Sequence, residues 1–166
     1  MNTRTFLITG ASKGIGRALS DRLARAGHVV VGIARNADDP TFPGTLVSVD
    51  LSDRQATDRA LKDLVGQFSF DGVVNNFGFV RPGKIGEIDL DVFEDSFRRN
   101  LTPSVQAVQA VLPSMRAKGW GRIRHCGPVS SPLRSAARRF DLIEQRTACG
   151  AACATSNRTS RSKGLC

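Results

Sequence analysis

The stretch that most constrains this chain is Thr9-Gly10-Ala11-Ser12-Lys13-Gly14-Ile15-Gly16, because of what flanks it. The apolar run Thr5-Phe6-Leu7-Ile8 precedes it, and a helical pattern runs behind it from Ile15 to about Ala26. Strand, glycine turn and helix in that order are the context in which a glycine motif acquires meaning. Gly10 can take the positive φ of the turn, and Gly14 removes a side chain where backbone must approach a pyrophosphate. Gly16 lets the helix pack closely on the strand. The free N–H groups of the helix's first turn, aided by the helix dipole, then face an anion.

The pattern repeats down the chain. Gly27 is a natural helix stop, and His28-Val29-Val30-Val31-Gly32-Ile33-Ala34 reads as a fully buried second strand. Arg35-Asn36 closes it, and Pro40 and Pro43 mark a loop. Thr45-Leu46-Val47-Ser48-Val49 is the third strand, ending at Asp50. Ser52 or Asp53 caps a helix with Ala56, Ala60, Leu64 and Phe68 at helical spacing. Gly72-Val73-Val74 is a short fourth strand that runs into Asn75-Asn76-Phe77-Gly78.

A long helix follows from about Asp89 to Lys118, with Phe93, Phe97, Leu101, Val105, Val108, Leu112 and Met115 expected on one face. Pro103 and Pro113 remove hydrogen bonds from it and predict a kink or break. Gly121-Arg122-Ile123 starts a fifth strand, and there the pattern stops. Strands alternating with helices predict an α/β fold with a parallel sheet and right-handed crossovers.

Together these pieces resemble the short-chain dehydrogenase/reductase family, over about residues 4–123 and in the manner of its 3-oxoacyl-acyl-carrier-protein reductases. Gly10, Ser12, Lys13, Gly14, Ile15 and Gly16 match its cofactor loop, and Asp50-Leu51 its adenine contact. Asn75-Asn76-Phe77-Gly78 matches its Asn-Asn-Ala-Gly motif, with Phe77 in place of the alanine, which puts Asn76 and Gly78 beside the cofactor. Asn100 matches the asparagine of the catalytic tetrad, which in the family holds a water leading to bulk solvent. The resemblance implies an NAD(P)-binding domain at 1–123, a doubly wound Rossmann-type sheet with a nicotinamide dinucleotide at the carboxyl ends of its strands. It also implies hydride transfer to a small carbonyl or acyl substrate.

The residues themselves speak to cofactor preference. NAD binding uses an acid about 20 residues past the glycines to hold the ribose 2′-hydroxyl. Here the second strand ends in Arg35-Asn36, and Lys13 sits inside the glycine loop. Two cations suit a 2′-phosphate, so NADP is expected over NAD, the alternative being that both are solvated surface charges.

Behind Ile123 the pattern departs from the family. The family's proton relay is a tyrosine with a lysine four residues later, and this sequence contains no tyrosine. Arg124-His125-Cys126-Gly127-Pro128 does not read as a central strand, because of its charge and its proline. Ser130 and Ser131 lie near the position of the family's substrate-orienting serine, and Ser131 is the candidate. Cys149-Gly150-Ala151-Ala152-Cys153 echoes the tyrosine–lysine spacing without its chemistry, and His125 and the cysteines are not read as a metal site.

The formal charge of +9 is concentrated in residues 124–166, where Asp141 and Glu144 are the only acids and all four cysteines lie. Such a basic tail, with almost no aromatic residue and no binding motif, is not expected to bind nucleic acid. The composition shift predicts a reading-frame change after about Ile123 or a truncated gene, leaving the Rossmann-type sheet incomplete in its carboxyl-terminal half and the family's homo-oligomer interface incomplete. No apolar run approaches a membrane span and no signal peptide opens the sequence, so a cytoplasmic location is expected.

Overall fold

The computed structural model describes residues 2–126 apart from Pro82 and Ile85. Among them, the strands β1 (Thr5–Thr9), β2 (Val29–Ala34), β3 (Thr45–Ser48), β4 (Gly72–Asn75) and β5 (Arg122–His125) accompany the helices α1 (Gly14–Arg25), α2 (Arg54–Gln67) and α3 (Leu90–Ala117). The strands form one parallel sheet in the order β3-β2-β1-β4-β5. The chain lays β2 and β3 to one side of β1, then returns through α2 to place β4 and β5 on the other. The winding direction thus reverses between β1 and β4, and the crevice outside their carboxyl ends is where such a sheet binds its ligand.

Alternation along the strands builds two cores. Leu7, Val31, Ile33 and Val73 face Leu61 and Leu64 of α2 and Ala107, Val111 and Met115 of α3. Ile8, Val30 and Val74 face the opposite way, against Leu19, Leu23 and Ala24 of α1. Strands buried on both faces explain the continuous apolar runs of β1 and β2.

Three helix ends have an identifiable cause. Gly27, at φ +82°, ends α1: its N–H bonds the Ala24 carbonyl at 2.9 Å and that of His28 bonds Leu23 at 3.1 Å. Of the two expected caps for α2, Asp53 fills the role, its Oδ1 accepting from the N–H groups of Gln55 at 2.9 Å and Ala56 at 3.0 Å. Asp89 caps α3 in the same way.

Three expectations need correction. First, of the kink or break expected in α3, the break does not occur: the helix is continuous through Pro103 and Pro113 over 28 residues. Each proline deletes one backbone bond at a cost of about 3 kcal/mol. Tertiary contacts flank both: Gln106 Nε2 donates to the Arg54 carbonyl at 3.0 Å and to Asp58 at 2.6 Å, and the Ser114 hydroxyl donates to the Phe70 carbonyl at 2.7 Å.

Second, the apolar row expected on one face of α3 does not share one environment. Met115 is buried, but Phe93, Phe97, Leu101 and Val105 are exposed. Successive steps of four residues advance about 40° each around a helix, so that row spirals away from any fixed face. The buried row is instead Ser104, Ala107, Val111 and Met115.

Third, Arg124 and His125 do belong to the sheet. They pair with Val74 and Asn75, and the Cys126 N–H extends the ladder to the Asn75 carbonyl at 2.8 Å. Among the described residues β5 borders only β4, and its arginines are half-buried, so long side chains can carry their charge past the sheet margin. The rest of the predicted tail, from Gly127 on, lies outside the described residues. Among the described residues no helix is long and apolar enough to cross a membrane.

Candidate functional site

At the carboxyl ends of the central strands lies a cavity of about 830 Å³. Its rim comes from three turns, and each turn is held by hydrogen bonds to the backbone. The turn after β1 is fixed by the Gly10 and Ala11 N–H groups, which donate to the Ile33 carbonyl at 2.8 and 3.2 Å. The turn after β4 hangs on one hydroxyl: Thr9 Oγ1 accepts from the N–H groups of Asn76 and Phe77, both at 3.0 Å. Asn76 Nδ2 then donates to the Gly10 carbonyl at 3.0 Å, joining the two turns. The turn after β2 is tied by the Asp38 N–H to Asn36 Oδ1 at 2.9 Å and by the Ser48 hydroxyl to the Arg35 carbonyl at 2.9 Å.

The glycines play separate parts. Gly14 has φ +60° and no protein atom within 4 Å of where a Cβ would stand, so open space lies against the start of α1. Gly16 is the close-approach position, since a Cβ there would lie 2.3 Å from the Gly10 oxygen. Lys13, the N-cap of α1, contributes no side-chain cap, and α1 has no acid in its first turn. Capped α2 and α3 contrast with it. The first turn of α1 thus has no side-chain cap, the arrangement that suits an anion.

The structure brings Gly10, Ser12, Lys13, Arg35, Leu51, Asn76 and Gly78 to this one cavity, with Asn36, Asp38, Asp39 and Phe77. Gly14, Ile15 and Gly16 form the adjoining first turn of α1, where Ile15 is exposed. Asp50 is not part of the lining; Val49 and Leu51 on either side of it are. Its carboxylate accepts the Ser52 N–H at 2.9 Å and hydroxyl at 2.8 Å. Those two bonds, and then the nearby charges of Arg35 and Arg99, hold it below the usual carboxylate range.

Asn100 borders a neighbouring apolar cavity with Phe77, Gly78, Phe97 and Cys126. Its amide is fully engaged there: Oδ1 accepts from the Phe79 N–H at 2.7 Å, while Nδ2 donates to the Phe79 carbonyl at 2.8 Å and the Ser96 carbonyl at 2.7 Å. Asn100 thereby pins the segment after β4 to α3. Burial raises the Cys126 thiol above its ordinary value. Ser131 lies outside the described residues. Among the described residues no group of three or more His, Cys, Asp or Glu is placed to hold a metal ion.

Two features escape a reading of the sequence alone. Thr9 is one, although a hydroxyl ending an otherwise apolar buried strand carries a signal, because buried polar groups are hydrogen-bonded. The other is an ionic link between Arg17 and Asp39, 22 residues apart, for which no local spacing rule exists.

The donor set fits a dinucleotide. Open space at Gly14, uncapped amides on α1 and the cations Lys13 and Arg35 converge at the switch point of the sheet. When bound, the nicotinamide of such a group supplies a hydride donor or acceptor.

Comparison with known proteins agrees with this geometry. The family model for short chain dehydrogenase matches residues 4–131. A 3-oxoacyl-acyl-carrier-protein reductase of Vibrio harveyi is 32% identical over 140 residues, covering 78% of this chain and 57% of its own. An NADPH-dependent pterin aldehyde reductase of Arabidopsis thaliana is 29% identical over 140 residues, covering 72% of this chain and 58% of its own. A crystal structure from Beutenbergia cavernae with bound NADP superposes with a TM-score of 0.65 at 30% identity, over 74% of this chain and 53% of that one. The chain thus spans little more than half the length of these relatives. With its strand order, its glycine turn and its match over residues 4–131, the chain belongs to the short-chain dehydrogenase family and resembles its 3-oxoacyl-acyl-carrier-protein reductases.

Proposed function

We propose that this chain binds NADP, in preference to NAD, at the carboxyl ends of β1, β2 and β4. The observation that carries this reading is the pairing of Lys13 and Arg35 in one cavity, with a cation immediately following β2 where an NAD site uses an acid. The uncapped start of α1 would take the pyrophosphate, Leu51 the adenine side, and Asn76 and Gly78 the floor beneath the nicotinamide ribose. The relatives point the same way, one named as NADPH-dependent and one solved with NADP.

As an oxidoreductase of its family the chain would act on a small carbonyl or acyl substrate in the cytoplasm, with neither nucleic acid nor a membrane as partner. Turnover is another matter. Hydride transfer to a carbonyl needs a proton donor at the oxygen, and none of the 166 residues is a tyrosine. Asn100 cannot supply that proton, since its amide does not ionise and already serves Phe79. We therefore read the chain as a dinucleotide binder with impaired catalysis, its binding domain made of residues 1–123 together with the end of β5 at Arg124 and His125.

Fluorescence titration with NADPH and NADH tests the binding half. Lys13→Ala and Arg35→Ala should each weaken NADPH binding by about tenfold, the worth of one charge-assisted phosphate contact, and leave NADH almost unchanged. Equal losses for both dinucleotides would contradict the 2′-phosphate assignment. A ketone-reduction assay under saturating NADPH should show binding without turnover, and turnover at the rate of a complete family member would refute the impairment.

A further inference from the structure

Arg17 follows Gly16 on α1 and is absent from the cavity lining, yet it holds the segment that is present. Its guanidinium reaches 22 residues along the chain: one terminal nitrogen bonds Asp39 Oδ2, and the other donates to the Thr41 carbonyl at 2.7 Å and the Thr41 hydroxyl at 3.2 Å. Nε bonds Asp21 at 3.2 Å, which holds the fork in place, and the guanidinium carbon lies 5.6 Å from the centre of the Phe42 ring. Phe42 is itself buried in the core beneath α1. The second carboxylate oxygen of Asp39 accepts the Thr41 N–H at 2.9 Å and hydroxyl at 2.6 Å. Both oxygens of that carboxylate are thus committed to partners on the side of Arg17 and Thr41.

The consequence is electrostatic. Asp38 and Asp39 share the cavity lining with Lys13 and Arg35, so the acids there oppose the two cations that would receive a phosphate. A carboxylate facing a phosphate repels it, and one paired with a guanidinium nitrogen does so less. We propose that Arg17 is a specificity-determining positioning residue: by pairing with Asp39 and holding Thr41 it offsets the charge of a carboxylate in the cavity lining and so sets the preference for a 2′-phosphorylated dinucleotide. This rests on the NADP reading above, and it assigns to Arg17 a role with no contact to the dinucleotide.

The test uses the full chain, dissociation constants for NADPH and NADH at low ionic strength, and a thermal melt of each variant. Arg17→Gln should weaken NADPH about fivefold, the scale of one partly exposed ion pair, and change NADH by less than about twofold. Adding Asp39→Asn to it should restore the ratio of the two constants, because the freed carboxylate is then gone. A purely structural role would weaken both dinucleotides equally, and an unchanged ratio in Arg17→Gln, or one that Asp39→Asn fails to restore, overturns the proposal. Should Arg17→Gln fail to fold, Asp39→Asn alone decides: it should keep or raise the preference for NADPH, and a lowered preference overturns the proposal. If the unaltered chain binds neither dinucleotide, the NADP reading falls and takes this inference with it, a result distinct from tight binding with an unmoved ratio.

Discussion

Phe70→Ala is expected to destabilise the fold by about 3–5 kcal/mol, the cost of emptying a fully buried aromatic site. Phe70 is wholly inaccessible to solvent and stands just before β4, in the core that α2 and α3 share with the sheet. Its ring tilts at 42° to that of Phe68, 6.0 Å away, and its carbonyl accepts the Ser114 hydroxyl of α3. Against a total stability of about 5–15 kcal/mol, such a loss removes a large share of the margin. Thermal melting should show the midpoint falling by roughly 10 °C or more. Leu90→Ala, at a position 72% exposed, should change stability by less than about 0.5 kcal/mol.

Gly16→Ala carries the second large effect and joins stability to the site. The new Cβ would lie 2.3 Å from the Gly10 oxygen and 2.5 Å from Asn76 Nδ2, the two atoms whose bond joins the turns after β1 and β4. The Gly10 carbonyl has little freedom to retreat, because its own residue's N–H is bonded to Ile33 at 2.8 Å. The helix must therefore lift off the sheet or the Asn76 bond must break. Overpacking of this kind costs about 1–3 kcal/mol, and the backbone neighbour places it at the upper end. Urea melts should show that loss, and NADPH affinity should fall with it. Gly14→Ala is the informative contrast: with no protein atom near its Cβ position, it should cost only about 1–2 kcal/mol of left-handed strain.

The contrast between these sites mirrors what the sequence could reveal. The β1–turn–α1 unit is legible because its determinants are adjacent: an apolar run, three spaced glycines and a helix that stops at Gly27. The parallel sheet follows from repetition of that unit. The buried face of α3 is not legible, since its apolar residues outnumber the places on the sheet that can cover them. Ala107 and Val111 win those places, while Phe93 and Phe97 stay outside. β5 is obscured because Arg122 and Arg124 lie at the margin of the described sheet, where charge is tolerated.

Within the site the same division holds. Gly10, Lys13 and Arg35 stand where their local context puts them. Asn100 is recognisable by resemblance, but its partner, the backbone of Phe79, is 21 residues back and visible only in the fold. The anchoring of Asp39 by Arg17 is a tertiary fact of the same kind, created when α1 and the segment after β2 meet.

A cradle for a phosphorylated dinucleotide formed by the turn from Ser12 to Gly16 and the residues after β2 has a residue-by-residue signature in solution. Amide resonances of the isotope-labelled chain, followed during titration with NADPH, test it most directly. Saturable shifts should be largest for Ser12, Lys13, Gly14, Ile15, Gly16, Arg35 and Asn36, with NADH moving the last two much less. Saturable binding that leaves those seven amides in place, or no binding at all, would contradict it.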